Sequence, residues 1–294
     1  MAVDQRLNRM EFDRTGYNSA LSMFHVADSL VQAAATCLIE SDPARKVECT
    51  REVAARWRRG ELAASTPGPW QPHETPGRPS RPQLVPARAL PKRKLTTAQG
   101  RASLIHAVAH IEFNAINLAW DAVQRFTEMP DTFRQDWTQV AIEEAEHFAL
   151  LRERLQTLGY DYGDLPAHDG LWDMARRTAG DALERMALVP RVLEARGLDV
   201  TPGMIERLRT VGDDETADRL GVILRDEVGH VAVGNRWYRH LCQDRGLDPS
   251  STFTDLIKRH LHGEIRCPLN REARLEAGFA ASEIDALEDL CRGG

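Results

Sequence analysis

The sequence predicts an all-α fold, a four-helix bundle with an N-terminal helical arm, a Pro-rich connector and C-terminal helices. Three observations carry this. Apolar residues recur at helical spacing in long segments, and no alternating run rich in β-branched residues accompanies them. Eight of the fifteen Pro crowd between Pro67 and Pro91, a density that no regular element survives. Two stretches place a carboxylate and an imidazole three residues apart, Glu144-Ala145-Glu146-His147 and Glu227-Val228-Gly229-His230, a spacing that shares a face only on a helix.

Taken in order, residues 1–64 form the arm, helical over 18–64. Ala20, Leu21, Phe24, Ala27, Leu30, Val31 and Ala34 make one helical stripe. Asp42-Pro43 opens a second helix, because Pro suits the first turn, and Gly60 ends it. The connector at 65–94 is extended and wraps the surface. The bundle occupies 95–246. Thr96 or Thr97 caps a helix reaching about Thr127. Asp131 caps the next, and Gly159 closes it. A third helix over 170–195 is kinked by Pro190. Thr201-Pro202-Gly203 starts a short helix. The fourth bundle helix spans 213–245 and stops at Gly246. Residues 247–294 add terminal helices at 251–262 and 282–291.

The paired motifs alternate with lone glutamates: Glu112, then Glu144 and His147, then Glu184, then Glu227 and His230. With 22 Glu and 10 His, chance supplies a Glu three before a His a little under once. The spacing gains meaning from context. Trp137, Val140 and Leu151 share the face of the first motif; Leu220, Ile223 and Val231 share that of the second. An unpaired charge on such a stripe is costly unless it finds a metal or a partner. Ile105, Val108 and Ile116 flank Glu112 likewise, whereas the stripe around Glu184 is weaker. One carboxylate from each of two helices and a Glu-x-x-His from each of two others make the dinuclear carboxylate site of helical bundles. Four Glu balance two divalent ions in formal charge. Mixed O/N donors suit iron or manganese better than zinc or calcium, so two Fe ions, or Mn with Fe, are the expected cofactors. An acid precedes each motif, and ligand imidazoles usually donate their outer N–H to a carboxylate. This pairs Asp226 with His147 and Glu143 with His230 across the helices.

The order of these motifs resembles the ferritin-like di-iron superfamily. Residues 100–112, Glu143-Glu144-Ala145-Glu146-His147-Phe148 and Arg225-Asp226-Glu227-Val228-Gly229-His230, with Asp42-Pro43 and Pro76-Gly77-Arg78-Pro79, are similar to a bacterial ferritin-like family described as a domain of unknown function. The likeness covers about residues 18–245. More distantly the chain resembles the di-iron tRNA hydroxylases that act on an isopentenyl-type modified adenosine. The resemblance implies the ferritin-like bundle and the six ligands above, and names no substrate.

Composition bounds the rest. No apolar run reaches the ~18–20 residues that cross a bilayer, and the N-terminus carries no secretion pattern. Five Cys without a C-x-x-C read as reduced cytosolic thiols, so a cytoplasmic location is expected. Residues 51–94 hold ten Lys or Arg against three acids. They read first as a basic linker on an acidic bundle, with a nucleic-acid or anion patch as the alternative. His106 and His110 lie off the Glu112 stripe and should hydrogen-bond to the connector. Trp120 and Tyr238 read as core, with electron relay as the alternative. The expected function is a dinuclear oxidase or oxygenase that activates O₂ to oxidise a small or tRNA-borne organic substrate, served by an electron donor. The alternative is a ferroxidase, iron-handling or peroxide-scavenging protein, and a binding module without redox chemistry is a third reading. No Cys₄ site for a further iron is present, and the chain is long for a minimal ferritin subunit. A homo-oligomer is compatible with all of these.

Overall fold

The computed structural model describes residues 27–66, 68–90, 94–262 and 265–293. Among these the protein is all-α, without a strand; two isolated bridges, Ser29 with Ala63 and Leu84 with Ala167, pin loops. Helices α1 (Leu30–Ile39) and α2 (Pro43–Arg58) form the arm. Then come α3 (Ala98–Arg125), α4 (Asp131–Thr157), α5 (Gly170–Arg177) and α6 (Ala182–Leu188). A π-helical turn (Val189–Glu194) leads directly into α7 (Ala195–Thr210), and α8 (Asp214–Asp244) follows. Helices α9 (Pro249–Leu261), α10 (Arg271–Glu276) and α11 (Ala281–Gly293) end the chain. No helix among the described residues is long and apolar enough to cross a membrane.

The caps follow the side chains. Asp42 accepts from the Arg45 amide, Thr97 from Gly100 and Asp213 from Thr216, each satisfying one orphan donor of a first turn. Asp131 is not a cap: Pro130 holds that position and Asp131 pairs with Arg134 instead. The arm stripe from 20 onward does not run on as one helix. Ser29 stops it by capping Gln32, while the Leu30 amide bonds the Ala63 carbonyl. The part of that stripe before residue 27 lies outside the described residues.

Helix α3 is the central member. It packs on α1, α4 and α5, and its second half is buried on all sides. Its buried polar side chains therefore need partners. Lys46 of α2 donates to Asn117 Oδ1 at 2.7 Å and to the Cys37 and Leu38 carbonyls at 2.8 Å, capping the end of α1. Burial pulls its pKa down to about 7. Gln124 bonds both the amide and the carbonyl of His73, and Trp70 donates to the Gln124 carbonyl, so the connector lies along the bundle as expected. Asp121 holds Arg185 at 2.5 Å and Arg125 at 3.0 Å.

The region before α8 departs from expectation. The third bundle helix is interrupted at 178–181, where Asp181 caps a new start by accepting from Leu183. Pro202 does not begin a helix but lies inside α7. It removes the donor that would bond the Leu198 carbonyl, and Asn270 fills the vacancy, its Nδ2 lying 3.1 Å from that oxygen. Tertiary contact thus overrides a strong local stop signal.

The expectation of five free thiols is also corrected. Disulfides join Cys37 to Cys49 and Cys267 to Cys291, leaving Cys242 free and buried. The antiparallel arrangement of α1 and α2 brings the first pair to a Cα separation of 5.7 Å, within disulfide reach. Spacing along the chain does not reveal such an approach.

Candidate metal centre

Glu112 from α3, Glu144 and His147 from α4, and Glu227 and His230 from α8 meet inside the bundle. Glu112 is 3% exposed, Glu144 0%, His147 2% and His230 1%; Glu227 is largely buried. Ligand atoms of Glu144, His147, Glu227 and His230 all lie within 4.8 Å of one another, so this group can hold a metal ion. The two rings sit 5.6 Å apart. Both turn Nδ1 inward. His147 Nδ1 is 3.3 Å from Glu112 and 3.5 Å from Glu144 Oε2. His230 Nδ1 is 2.9 Å from Glu144 Oε1 and 3.5 Å from Glu227. Glu144 therefore presents one oxygen to each imidazole.

Both rings turn Nε2 outward onto a carboxylate of the opposite helix. His147 meets Asp226 at 3.0 Å and His230 meets Glu143 at 2.7 Å, the two cross-helix pairs expected from the acids preceding each motif. Such a contact fixes the tautomer, leaving the Nδ1 lone pair free for an ion.

Glu184 does not reach this centre. Its carboxylate lies 3.1 Å from Arg259 and 3.3 Å from His260 of α9. Glu194, at the end of the π-helical turn and 9% exposed, is the acid of this stretch that lies within electrostatic reach of Glu144, Glu227 and His230. Counting at α-helical spacing from Glu184 does not find it, because a π turn adds a residue and rotates all later side chains by about 100°. Pro190 was the available signal: it marks where the α-helical count fails. The ring of Pro190 rests on Gly234 of α8, where any Cβ would collide with it. Gly234 thus serves close packing of the turn.

The donors test well against a cation. Glu112 Oε2, both Glu144 oxygens, Glu194 Oε2, His147 Nδ1 and His230 Nδ1 are buried without an aligned hydrogen-bond partner. Each such atom costs ~1–3 kcal/mol, so a cluster of them is unfavourable unless a positive ion or shared protons occupy it. Without an ion, protons fill that role. Burial opposes charge on His147, yet Glu112 and Glu144 outweigh it and push its pKa up to about 11. His230 is raised in the same way, mainly by Glu144. Burial, reinforced by Glu144, raises Glu112 and Glu227; burial with repulsion from Glu144 and Glu227 raises Glu194. Glu144 is the exception: burial opposes its charge, but the two imidazoliums hold its pKa below the usual range. A metal must displace these protons. Divalent-ion affinity is therefore expected to climb as pH rises toward the His147 value of about 11, with protons released on binding at pH 7. Titration calorimetry in two buffers of different ionisation enthalpy measures the release; identical heats would contradict it.

Other expected residues serve structure. Trp120 donates to Thr50 at 2.9 Å, and Tyr238 donates to the Pro249 carbonyl at 2.7 Å. His106 accepts from the Gly163 amide and His110 meets Tyr162, so both fasten the 160–169 loop.

With the geometry established, comparison with known proteins adds a family. A family model described as "Protein of unknown function (DUF455)" matches residues 39–285. The chain belongs to the DUF455 family. The match spans every residue of the centre. An uncharacterized protein of Haemophilus influenzae is 49% identical over 219 residues, covering 72% of this chain and 76% of its own. No solved structure matches the chain. DUF455 membership brings no activity with it, so function has to be argued from the centre.

Proposed function

We propose that this protein is a dinuclear, di-iron type oxidoreductase of ferritin-like kind, acting as an oxidase or oxygenase on a small or tRNA-borne organic substrate. The observation that carries the reading is Glu144, whose two buried oxygens each face an inward Nδ1 of a different imidazole. That arrangement suits a carboxylate shared between two ions. Glu112 and His147 would serve one ion, Glu227 and His230 the other, with Glu194 as the adjustable fourth carboxylate. When bound, a pair of iron ions supplies two electrons to O₂. The chain's own residues bind and orient the ions, exclude water and hold protons at the outer nitrogens. Asp226 and Glu143 anchor the rings, and Glu194 can take up or release a proton in a nearly dry setting.

Elemental analysis of protein produced with iron should find about two Fe, or Fe with Mn, per chain. Metal-free preparations that take up none would sink the proposal. An iron-handling or ferroxidase role is the second reading, favoured by the acid-lined groove that opens beside His147. Aerobic titration with Fe(II) separates the two: oxidation that stops near two irons per chain supports the oxygenase reading, while accumulation of many ferric ions supports the other.

Asp226→Asn should preserve the fold, since Asp226 lies at the surface end of its contact with His147, and should weaken metal binding roughly 10–100-fold. Competition with a fluorescent chelator measures this, and an unchanged affinity would exclude a positioning role.

A further inference from the structure

We propose that the groove between α4 and α8 is the route by which a hydrated divalent cation reaches the centre, an inference that rests on the metal-binding reading above. The groove holds about 570 Å³ and is lined by Glu143, Glu146, Glu153, Asp226 and His147. Glu146 is matched by Arg51 at 2.7 Å and Glu153 by Arg219 at 2.8 Å. The other two acids, Glu143 and Asp226, each rest on an imidazole of the centre rather than on an arginine. Their side chains are 36% and 41% exposed.

A second observation connects the groove to the ion. His147 lines it while being 2% exposed, and its Nδ1, on the far side of the ring, lacks a hydrogen-bond partner. The ring is the partition between groove and centre. Glu112, Glu144 and His230 are themselves buried. Gly229 follows Asp226 by three residues on α8 and is exposed, and a Cβ there would meet nothing within 4 Å. No side chain therefore crowds α8 at Gly229. A cation arriving here exchanges water for carboxylate oxygens in steps, in a cleft whose low-dielectric walls concentrate the field. Movement of one imidazole then admits it.

Val222 lines the same groove one turn before Asp226 and is 36% exposed, so it can be changed without disturbing the core. The test uses metal-free protein and Mn(II), with stopped-flow uptake, chelator-driven release and equilibrium affinity measured separately. An obstruction on a path slows both directions alike. Val222→Trp should therefore slow uptake and release by about tenfold each and leave Kd unchanged, whereas Val222→Glu should speed uptake at low salt, an advantage lost at high ionic strength. Unchanged rates in both variants would place the route elsewhere. A changed Kd would mean that Val222 acts on the centre's shape, which also overturns the proposal. Failure of the unaltered protein to bind Mn(II), Fe(II) or Co(II) at all would instead remove the metal reading beneath it.

Discussion

Glu194→Gln is expected to cost the protein about one of two bound metal ions, or to weaken the second by two orders of magnitude or more, while Glu184→Gln leaves metal content unchanged. Both substitutions remove one negative charge from the same bundle position in the chain order, so only geometry distinguishes them. Glu194 is buried, has an unpartnered oxygen and feels Glu144 and Glu227. Glu184 sits between Arg259 and His260 toward the surface. Gln is nearly isosteric with Glu, so the comparison isolates charge from packing. Metal per chain, measured after desalting from excess Fe(II) or Mn(II), reads the result. Loss in the Glu184 variant with retention in the Glu194 variant would reverse the assignment.

The largest effect on stability is expected from Asp121→Ala. Asp121 is fully buried and holds the guanidinium of Arg185, itself 2% exposed. Arg185 also donates to Thr178 Oγ1 and to the Ala175 carbonyl and lies over the Phe126 ring. Removing the carboxylate strands a guanidinium that cannot discard its proton at any physiological pH. The expected cost is about 3–5 kcal/mol, read as a lower urea midpoint at unchanged slope. A loss under 1 kcal/mol would mean that water reaches Arg185. Asp121→Ala with Arg185→Met should recover much of the loss, because the pair replaced by apolar groups leaves no unmatched charge.

The sequence made some of this legible and hid the rest for physical reasons. Glu112, Glu144, His147, Glu227 and His230 could be placed together because each sits on an uninterrupted α-helix, where a period of 3.6 carries information over many turns. Asp226 and Glu143 followed from the same regularity. Glu194 could not be reached by counting, since the π turn at Pro190 shifts the phase. Pro202 misled for the opposite reason: the signal was real, but Asn270, distant in sequence, satisfies the carbonyl it frees. The disulfides depend on how helices cross, which no local pattern encodes.

The turn that carries Glu194 has a further consequence. Arg191, three residues earlier and fully buried, donates to Asn235 Oδ1 and to Glu283 Oε1 at 2.6 Å, and stands among the rings of Tyr238, Phe253 and Phe279. Glu283, Phe253 and Phe279 all lie beyond the last of the clustered Glu and His residues. During synthesis these anchors emerge from the ribosome after every candidate ligand has been made. A nascent chain can therefore fold its long helices and still hold Glu194 loosely. Such a half-made protein would have a leaky centre until its C-terminal helices dock, which ties the maturation of the centre to the timing of translation.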